Sequence, residues 1–262
     1  MGHWYTKEGE PQHFIVGANG KERGTTLRDA RKLDLVPSVT GIIDVLDKPG
    51  LNNWFQNKIL YACLTVPRPE GISDSEFIKI VRQDASEEAE EAKLRGNVIH
   101  NCIEDMWNDK TGDSMDYEPD VMAIASSAIA DICNYCGETD FIPEMTVAGD
   151  GYGGAIDLHN DKFLIDYKTK DIDDVSKKMA YPNHAMQLAA YDVALDFDTD
   201  SQRPASWFGK ADGGRRCINV FIDRTEPGKV VIHEWKPEEI TLAWEKFQLL
   251  LRYWKLDKGY MV

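Results

Sequence analysis

Three residues within the stretch GGAIDLHNDKFLIDYKTK, residues 153–170, have the types and spacing to do chemistry: Asp157, Asp166 and Lys168. Side chains alternate along a strand, so in 162–168 Leu164, Asp166 and Lys168 share one face while Phe163, Ile165 and Tyr167 take the other. The apolar set can enter a core, leaving an acid and an amine side by side. Residues 153–158 are expected to form the partner strand, joined through 159–162 with Asn160-Asp161 as turn formers. An even-length loop puts Asp157 on the face of Asp166, opposite it or on the diagonal; an odd one turns it away. Two carboxylates held together resist joint ionisation unless positive charge lies between them. A hard divalent cation with oxygen ligands meets that need, with Lys168 as a second positive charge. The same residues also describe a solvated hairpin in which Asp166 and Lys168 merely pair, a contact of small energetic value.

The elements that must position these residues follow from periodicity and breaker residues. His13 to Val16 reads as a strand and Gly17-Ala18-Asn19-Gly20 as a turn, within a β-rich leader over 1–36. Ser38 or Thr40 can cap a short helix over Ile42, Ile43, Val45 and Leu46, which Pro49-Gly50 ends. A helix over about 51–64 follows, with Trp54, Ile59 and Leu60 as apolar anchors, then a loop at 67–71 and a short helix over 73–82. Ser86 opens a longer helix in which Glu87, Glu88, Glu90 and Glu91 favour the positive N-terminal end and Val98, Ile99, Cys102, Ile103 and Met106 form an apolar stripe. His100 and Glu104, four apart, share a face beside that stripe. Gly96 costs about 1 kcal/mol in a helix interior relative to alanine, which suggests a close approach.

Residues 120–136 form a further helix closed by Gly137 at C′. The run FIPEMTVA, 141–148, reads as a strand carrying Glu144; Pro143 leaves its facing undecided by parity. Beyond the hairpin, 179–195 is an amphipathic helix on which Gln187 and Tyr191 share a face. Residues 205–210 and 215–223 read as an antiparallel pair across Asp212-Gly213-Gly214. A strand over 229–235 and a helix over 237–256, with Pro237 at N1 and Leu242, Phe247, Leu250 and Leu251 apolar, complete the chain.

Composition sets bounds on function. The chain has 262 residues, 42% hydrophobic and 10% aromatic, enough for a sizeable core. A net charge of −15 argues against nucleic-acid binding driven by overall charge, though not against a local basic groove or a metal site that attracts phosphate. No apolar run approaches the roughly 20 residues that span a membrane, and the N-terminus lacks an apolar signal core, so a cytoplasmic protein without membrane contact is expected. Five cysteines, an odd number, suggest reduced thiols; CNYC at Cys133 and Cys136 is read as buried helix thiols.

Taken in order, GNVIH on a helix, Glu144 entering a strand, GGAID, IDYKT and a helix with MQLAAY resemble the PD-(D/E)XK nuclease superfamily, in its RecB-like and phage-exonuclease branch. The resemblance runs over about 37–191, with PSVTGIIDVLDKPGLNNW similar to the leader of phage-encoded members; Ile156 stands where the motif's name places proline. It implies an α/β fold with a restriction-endonuclease-like core, a central mixed β-sheet flanked by helices. One nuclease domain over 1–262 is expected: the leader, a helical part over 37–136, the catalytic sheet and helix over 137–223, and a closing strand and helix over 224–262. It implies Asp157 and Asp166 as metal-binding carboxylates, the Tyr167 main-chain carbonyl as a further ligand, His100 as completing the metal site, and Lys168 as orienting the attacking water. Gln187 and Tyr191 match the Q-x-x-x-Y element that contacts DNA and braces the site, with Glu144 and Glu104 as further candidates. The cofactor implied is Mg²⁺, with Mn²⁺ as substitute, and no iron–sulfur cluster, since only Cys217 follows Tyr191.

The expected activity is DNA hydrolysis by an exonuclease on linear ends in phage-type recombination, repair or DNA processing, in the host cytoplasm if phage-encoded. The resemblance admits a single-strand annealing or recombination protein as partner, and an oligomer. A structure-specific or flap endonuclease is the alternative, and a catalytically idle DNA-binding or assembly protein on the nuclease scaffold a second.

Overall fold

The computed structural model describes residues 3–108, 116–198, 203–204 and 214–260. Its elements in order are β1 (Trp4–Tyr5), β2 (Phe14–Val16), β3 (Glu22–Gly24), α1 (Leu27–Lys32), β4 (Val36–Pro37), α2 (Val39–Ile43), α3 (Pro49–Thr65), α4 (Asp74–Asn108) and α5 (Pro119–Cys136). They continue with β5 (Ile142–Gly149), β6 (Tyr152–His159), β7 (Phe163–Lys170), α6 (Pro182–Leu195), β8 (Phe197–Asp198), β9 (Arg203–Pro204), β10 (Arg216–Asp223), β11 (Val230–Glu234) and α7 (Pro237–Lys258). Five strands make the central sheet in the order β11-β10-β7-β6-β5, with β7 and β10 parallel and the other pairs antiparallel. Parallel neighbours need a crossover, and α6 supplies it.

Each face of this mixed sheet carries a helical layer. Phe163, Ile165 and Tyr167 of β7 pack with Ile99 and Ile103 of α4 and Ile124 and Ile132 of α5. Leu164 of the same strand joins Ile42 of α2, Leu188 of α6 and Phe247 of α7 on the opposite side. The alternation read along 162–168 is therefore the partition between two cores. Local signals hold at several ends: Ser38 Oγ accepts from Gly41 N at α2, and Gly137 takes φ 67 beyond α5.

Other expectations fail for stateable reasons. The short helix over 73–82 and the longer one from Ser86 are one continuous α4 of 35 residues. No proline or glycine interrupts it before Gly96. Ser86 Oγ bonds back to the Gln83 carbonyl at 2.9 Å, and the capping box sits at Ser73, whose N–H donates to Glu76 Oε2 at 2.9 Å. Glu87 to Glu91 thus lie mid-helix, far from its positive end. Helix α3 begins at Pro49, a residue suited to N1, and its buried anchor is Ala62; Trp54 and Leu60 are exposed. Val98 and Leu242 are likewise exposed rather than core. Helix α6 is amphipathic in no useful sense, because every residue from Ala185 to Ala194 is buried between sheet and α7. The leader adds α1, and its Trp4 packs on Trp254 and Tyr260.

Strand β10 spends both edges on β7 and β11, so it is not one arm of an antiparallel pair across Asp212-Gly213-Gly214. The other arm expected there, 205–210, lies outside the described residues. Cys133 and Cys136 are free thiols on α5, as the sequence reading has them, but half-buried rather than buried; burial is the main cause of their raised pKa. Among the described residues, no helix is long and apolar enough to cross a membrane.

Candidate active site

The hairpin loop takes the even branch. Asn160 N–H donates to the Phe163 carbonyl at 2.9 Å, and Asn160 Oδ1 accepts from Lys162 N and Phe163 N, each at 2.9 Å. Leu158 then pairs with Ile165 and His159 with Leu164, and one further step along that register sets Asp157 across from Asp166. At that step the ladder gives way: Asp157 Oδ2 accepts the main-chain N–H of Tyr167 at 2.7 Å, taking the place of a strand carbonyl.

A distortion in two strands makes this possible. Ile156 belongs to the α6 layer and Leu158 to the α4 layer, although simple alternation would put residues two apart on one face. On β5, Pro143 pairs with Leu158 and Met145 with Ile156, so the residue at the level of Asp157 is Glu144. Glu144 has φ 46, a left-handed conformation that costs a non-glycine residue about 1–3 kcal/mol and concentrates at functional sites. Parity could not settle where Glu144 faces because its backbone leaves the β region.

Asp166 is 1% exposed and lies within a closed set of partners. Lys168 Nζ stands 2.7 Å from its carboxylate, Asn219 Nδ2 donates to Oδ2 at 2.7 Å, and Trp235 Nε1 donates to Asn219 Oδ1 at 2.7 Å. Asn219 stands beside Asp166 in the parallel β7–β10 register. Sequence reasoning passed over it, yet one signal was present: it is the lone amide in the apolar run CINVFI, and a buried amide demands partners.

The closeness of these groups bears on their ionisation. Burial raises the Asp157 pKa, and the Asp166 carboxylate raises it further, while His100 and Lys168 pull against both. Glu144 is pushed up to about 7, by burial first and then by Asp157 and Glu104. Glu104 is raised by burial and by Asp105. For Lys168 burial works downward, but the charges of Asp166 and Asp157 outweigh it and hold the ammonium above its usual range.

Helix α4 delivers His100 through a close approach. A Cβ on Gly96 would sit 2.4 Å from Thr169 Oγ1, so only glycine lets α4 lie so near β7. One turn on, the His100 ring meets Tyr167 edge-on at 5.6 Å, and Trp107 Nε1 donates to the Tyr167 hydroxyl at 3.2 Å. A Gly96→Ala protein is expected to lose about 1–3 kcal/mol to overpacking, offset by about 1 kcal/mol of helix propensity. Combined with Thr169→Ala the clash disappears and the propensity gain remains, so urea unfolding should rank the double variant above the single one.

Gln187 and Tyr191 do share a face of α6, with Gln187 Nε2 donating to the Tyr191 hydroxyl across a long 3.4 Å. Both are buried, and Gly154 of GGAID makes room for the Tyr191 ring, which a Cβ there would meet at 2.4 Å. Their placement suits bracing the sheet beneath the acids. His184, in the first turn of α6, was not singled out by the sequence and reaches the charges of Lys168 and Asp166.

Among the described residues, no group of three or more His, Cys, Asp and Glu side chains stands close enough to hold a metal ion. The donor chemistry nevertheless suits a hard divalent cation, because burial and the neighbouring Asp166 carboxylate raise the cost of charging Asp157. Asp157, Asp166, the Tyr167 carbonyl and His100, with Glu144 beside them, are the groups that would hold it.

Fold and site together define a mixed α/β protein with an Asp, Asp and Lys cluster, Asp166 buried and Asp157 and Lys168 half-buried, where two strands lose their pairing. No protein-family model matches the chain, and no curated protein does. Among solved structures, the crystal structure of SSO0001 is similar at 14% sequence identity and a TM-score of 0.29, over 76% of this chain and 86% of that one. Likeness at that level carries no argument about fold or activity.

Proposed function

We propose that this chain is a divalent-metal-dependent deoxyribonuclease with a PD-(D/E)XK core, acting as an exonuclease on linear DNA ends. The observation that carries the reading is the convergence of Asp157, Asp166 and Lys168 at a break in the β6–β7 ladder, backed by His100 from α4. A surface salt bridge would need neither a second acid fixed by a main-chain N–H nor a strained Glu144 beside it.

A bound Mg²⁺ would supply charge neutralisation at the phosphate and a water of lowered pKa. The chain's own part is positional. Asn219 and Trp235 fix one Asp166 oxygen, Tyr167 N–H fixes one Asp157 oxygen, and the second oxygen of Asp157 is left for a ligand. Lys168 directs its ammonium at the Asp166 carboxylate, where it can hold an attacking water and the charge that builds on the phosphate. The Tyr191 and Gln187 pair backs the sheet from α6.

The test is a time course on end-labelled linear single- and double-stranded DNA beside a closed circle, with Mg²⁺ or EDTA. Shortening of the linear substrates from their ends, only with Mg²⁺, is the expected result. Cutting of the circle would reassign the activity to an endonuclease, and inertness towards every substrate would overturn the enzymatic reading.

A further inference from the structure

We propose that Lys170 and His184, where the end of β7 meets the first turn of α6, form a second phosphate-binding point, for the phosphate next to the one being cut. The inference rests on the nuclease reading and deepens it.

The placement follows from the register. Thr169 faces α4, since a Cβ on Gly96 would touch its Oγ1, so Lys170 faces the α6 side with Asp166 and Lys168. Lys168 and Lys170, two apart on an extended strand, stand about 6.7 Å apart along it, a spacing that suits successive phosphates of one nucleic-acid strand. The His184 ring packs on Phe221 at 5.7 Å, and Phe221 is the register neighbour of Lys168. The ring also feels the charges of both lysines; burial first, and then Lys168, push its pKa down to about 4. The Tyr181 N–H points to Nδ1 across a long 3.4 Å, which leaves the proton of the neutral ring on Nε2 as a donor.

What makes this a site rather than a decorated edge is the fate of the nearby acids. Asp166 is held by Lys168 and Asn219, and Asp171 is paired with Arg224. Asp223 accepts the N–H groups of Ile172, Thr225 and Glu226. In a chain of net charge −15, Lys170 therefore makes no ion pair with a carboxylate among the described residues, its register neighbour Asp223 pairing with Lys229 instead, and it lies beside the positive end of a 14-residue helix. An anion with several acceptor oxygens fits there, either an internal phosphodiester or a terminal phosphate.

The experiment uses the full chain and its Lys170→Ala, His184→Ala and Lys170→Arg variants. Binding of a fluorescent linear duplex with a 5′-phosphate or a 5′-hydroxyl is followed by anisotropy in EDTA over a range of salt. Steady-state cleavage in Mg²⁺ follows. Both alanine variants should raise Kd and KM about 10-fold with kcat nearly unchanged, Lys170→Ala should lower the salt slope by about 1, and Lys170→Arg should restore most binding. A loss confined to the 5′-phosphate substrate marks a terminal-phosphate site, and an equal loss on both marks an internal one; either supports the inference. Unchanged Kd, KM and salt slope in Lys170→Ala, with the parent cutting DNA, would overturn it alone. A parent that binds DNA through Lys170 but cuts none would overturn the nuclease reading alone.

Discussion

A Lys168→Ala protein is expected to fold and to bind DNA as the parent does, yet to cut it about 10²- to 10³-fold more slowly, the range lost when one preorganised donor to a developing anion is removed. The Lys168 side chain donates a hydrogen bond to Asp166, and its removal leaves that carboxylate with the Asn219 amide. Folding is therefore retained while a cation at the acid pair is lost. Single-turnover cleavage in Mg²⁺, with circular dichroism and unfolding midpoints as controls, separates the two effects. Lys168→Arg should not rescue, because a planar guanidinium does not replace a compact ammonium held against Asp166. A Lys168→Ala protein with parental turnover would remove Lys168 from the chemistry altogether.

Asp157→Asn should abolish cleavage and, in EDTA, make the protein more stable. The sign follows from the direction of the shift. The Asp157 pKa is raised in the folded chain by burial and by Asp166, so its contribution to stability is full below the unfolded value and disappears as pH rises through the folded one. Above the unfolded value the parent therefore carries a cost that asparagine lacks, while Asn Oδ1 can still accept from Tyr167 N–H. The advantage should shrink as the pH falls towards 4, where the parent carboxyl protonates as well. Glu144, pushed up to about 7, adds a parental loss of stability of the same sign between about pH 4.5 and 7. Added Mg²⁺ should then raise the melting point of the parent and leave the variant where it was, since an ion that binds only the folded state stabilises it by mass action. Thermal melts over pH, with and without Mg²⁺, check this. A variant less stable than the parent in EDTA near pH 8 would mean that Asp157 is held by its neighbours rather than strained by them.

The two experiments bear on different parts of the cluster. Lys168 tests whether the site acts on an anion, and Asp157 whether the acids are kept together at a cost that only a ligand repays. Stability retained at the expense of activity in one case, and gained at its expense in the other, is a pattern that a structural salt bridge does not produce.

Much of this was written locally. The division of β7 between Leu164, Asp166 and Lys168 on one face and Phe163, Ile165 and Tyr167 on the other follows from alternation alone, because a strand's pleat depends on no distant residue. Caps at Ser38 and Gly137 and the turn at Asn160 were legible for the same reason, since each answers to backbone geometry within a few residues; Gly96 was legible only as an anomaly in a helix, and that Thr169 of β7 is what approaches it is a tertiary matter. Tertiary structure alone decided the rest. Asn219 stands 53 residues from Asp166 in the chain, and only the parallel pairing of β7 with β10 makes them neighbours. The left-handed turn of Glu144 arises because two strands change facing together at Asp157. Gln187 and Tyr191 carry a helical spacing that says which face they share; that this face is sealed against a sheet, and so braces the acids from within, depends on what packs there, which no spacing along the chain records.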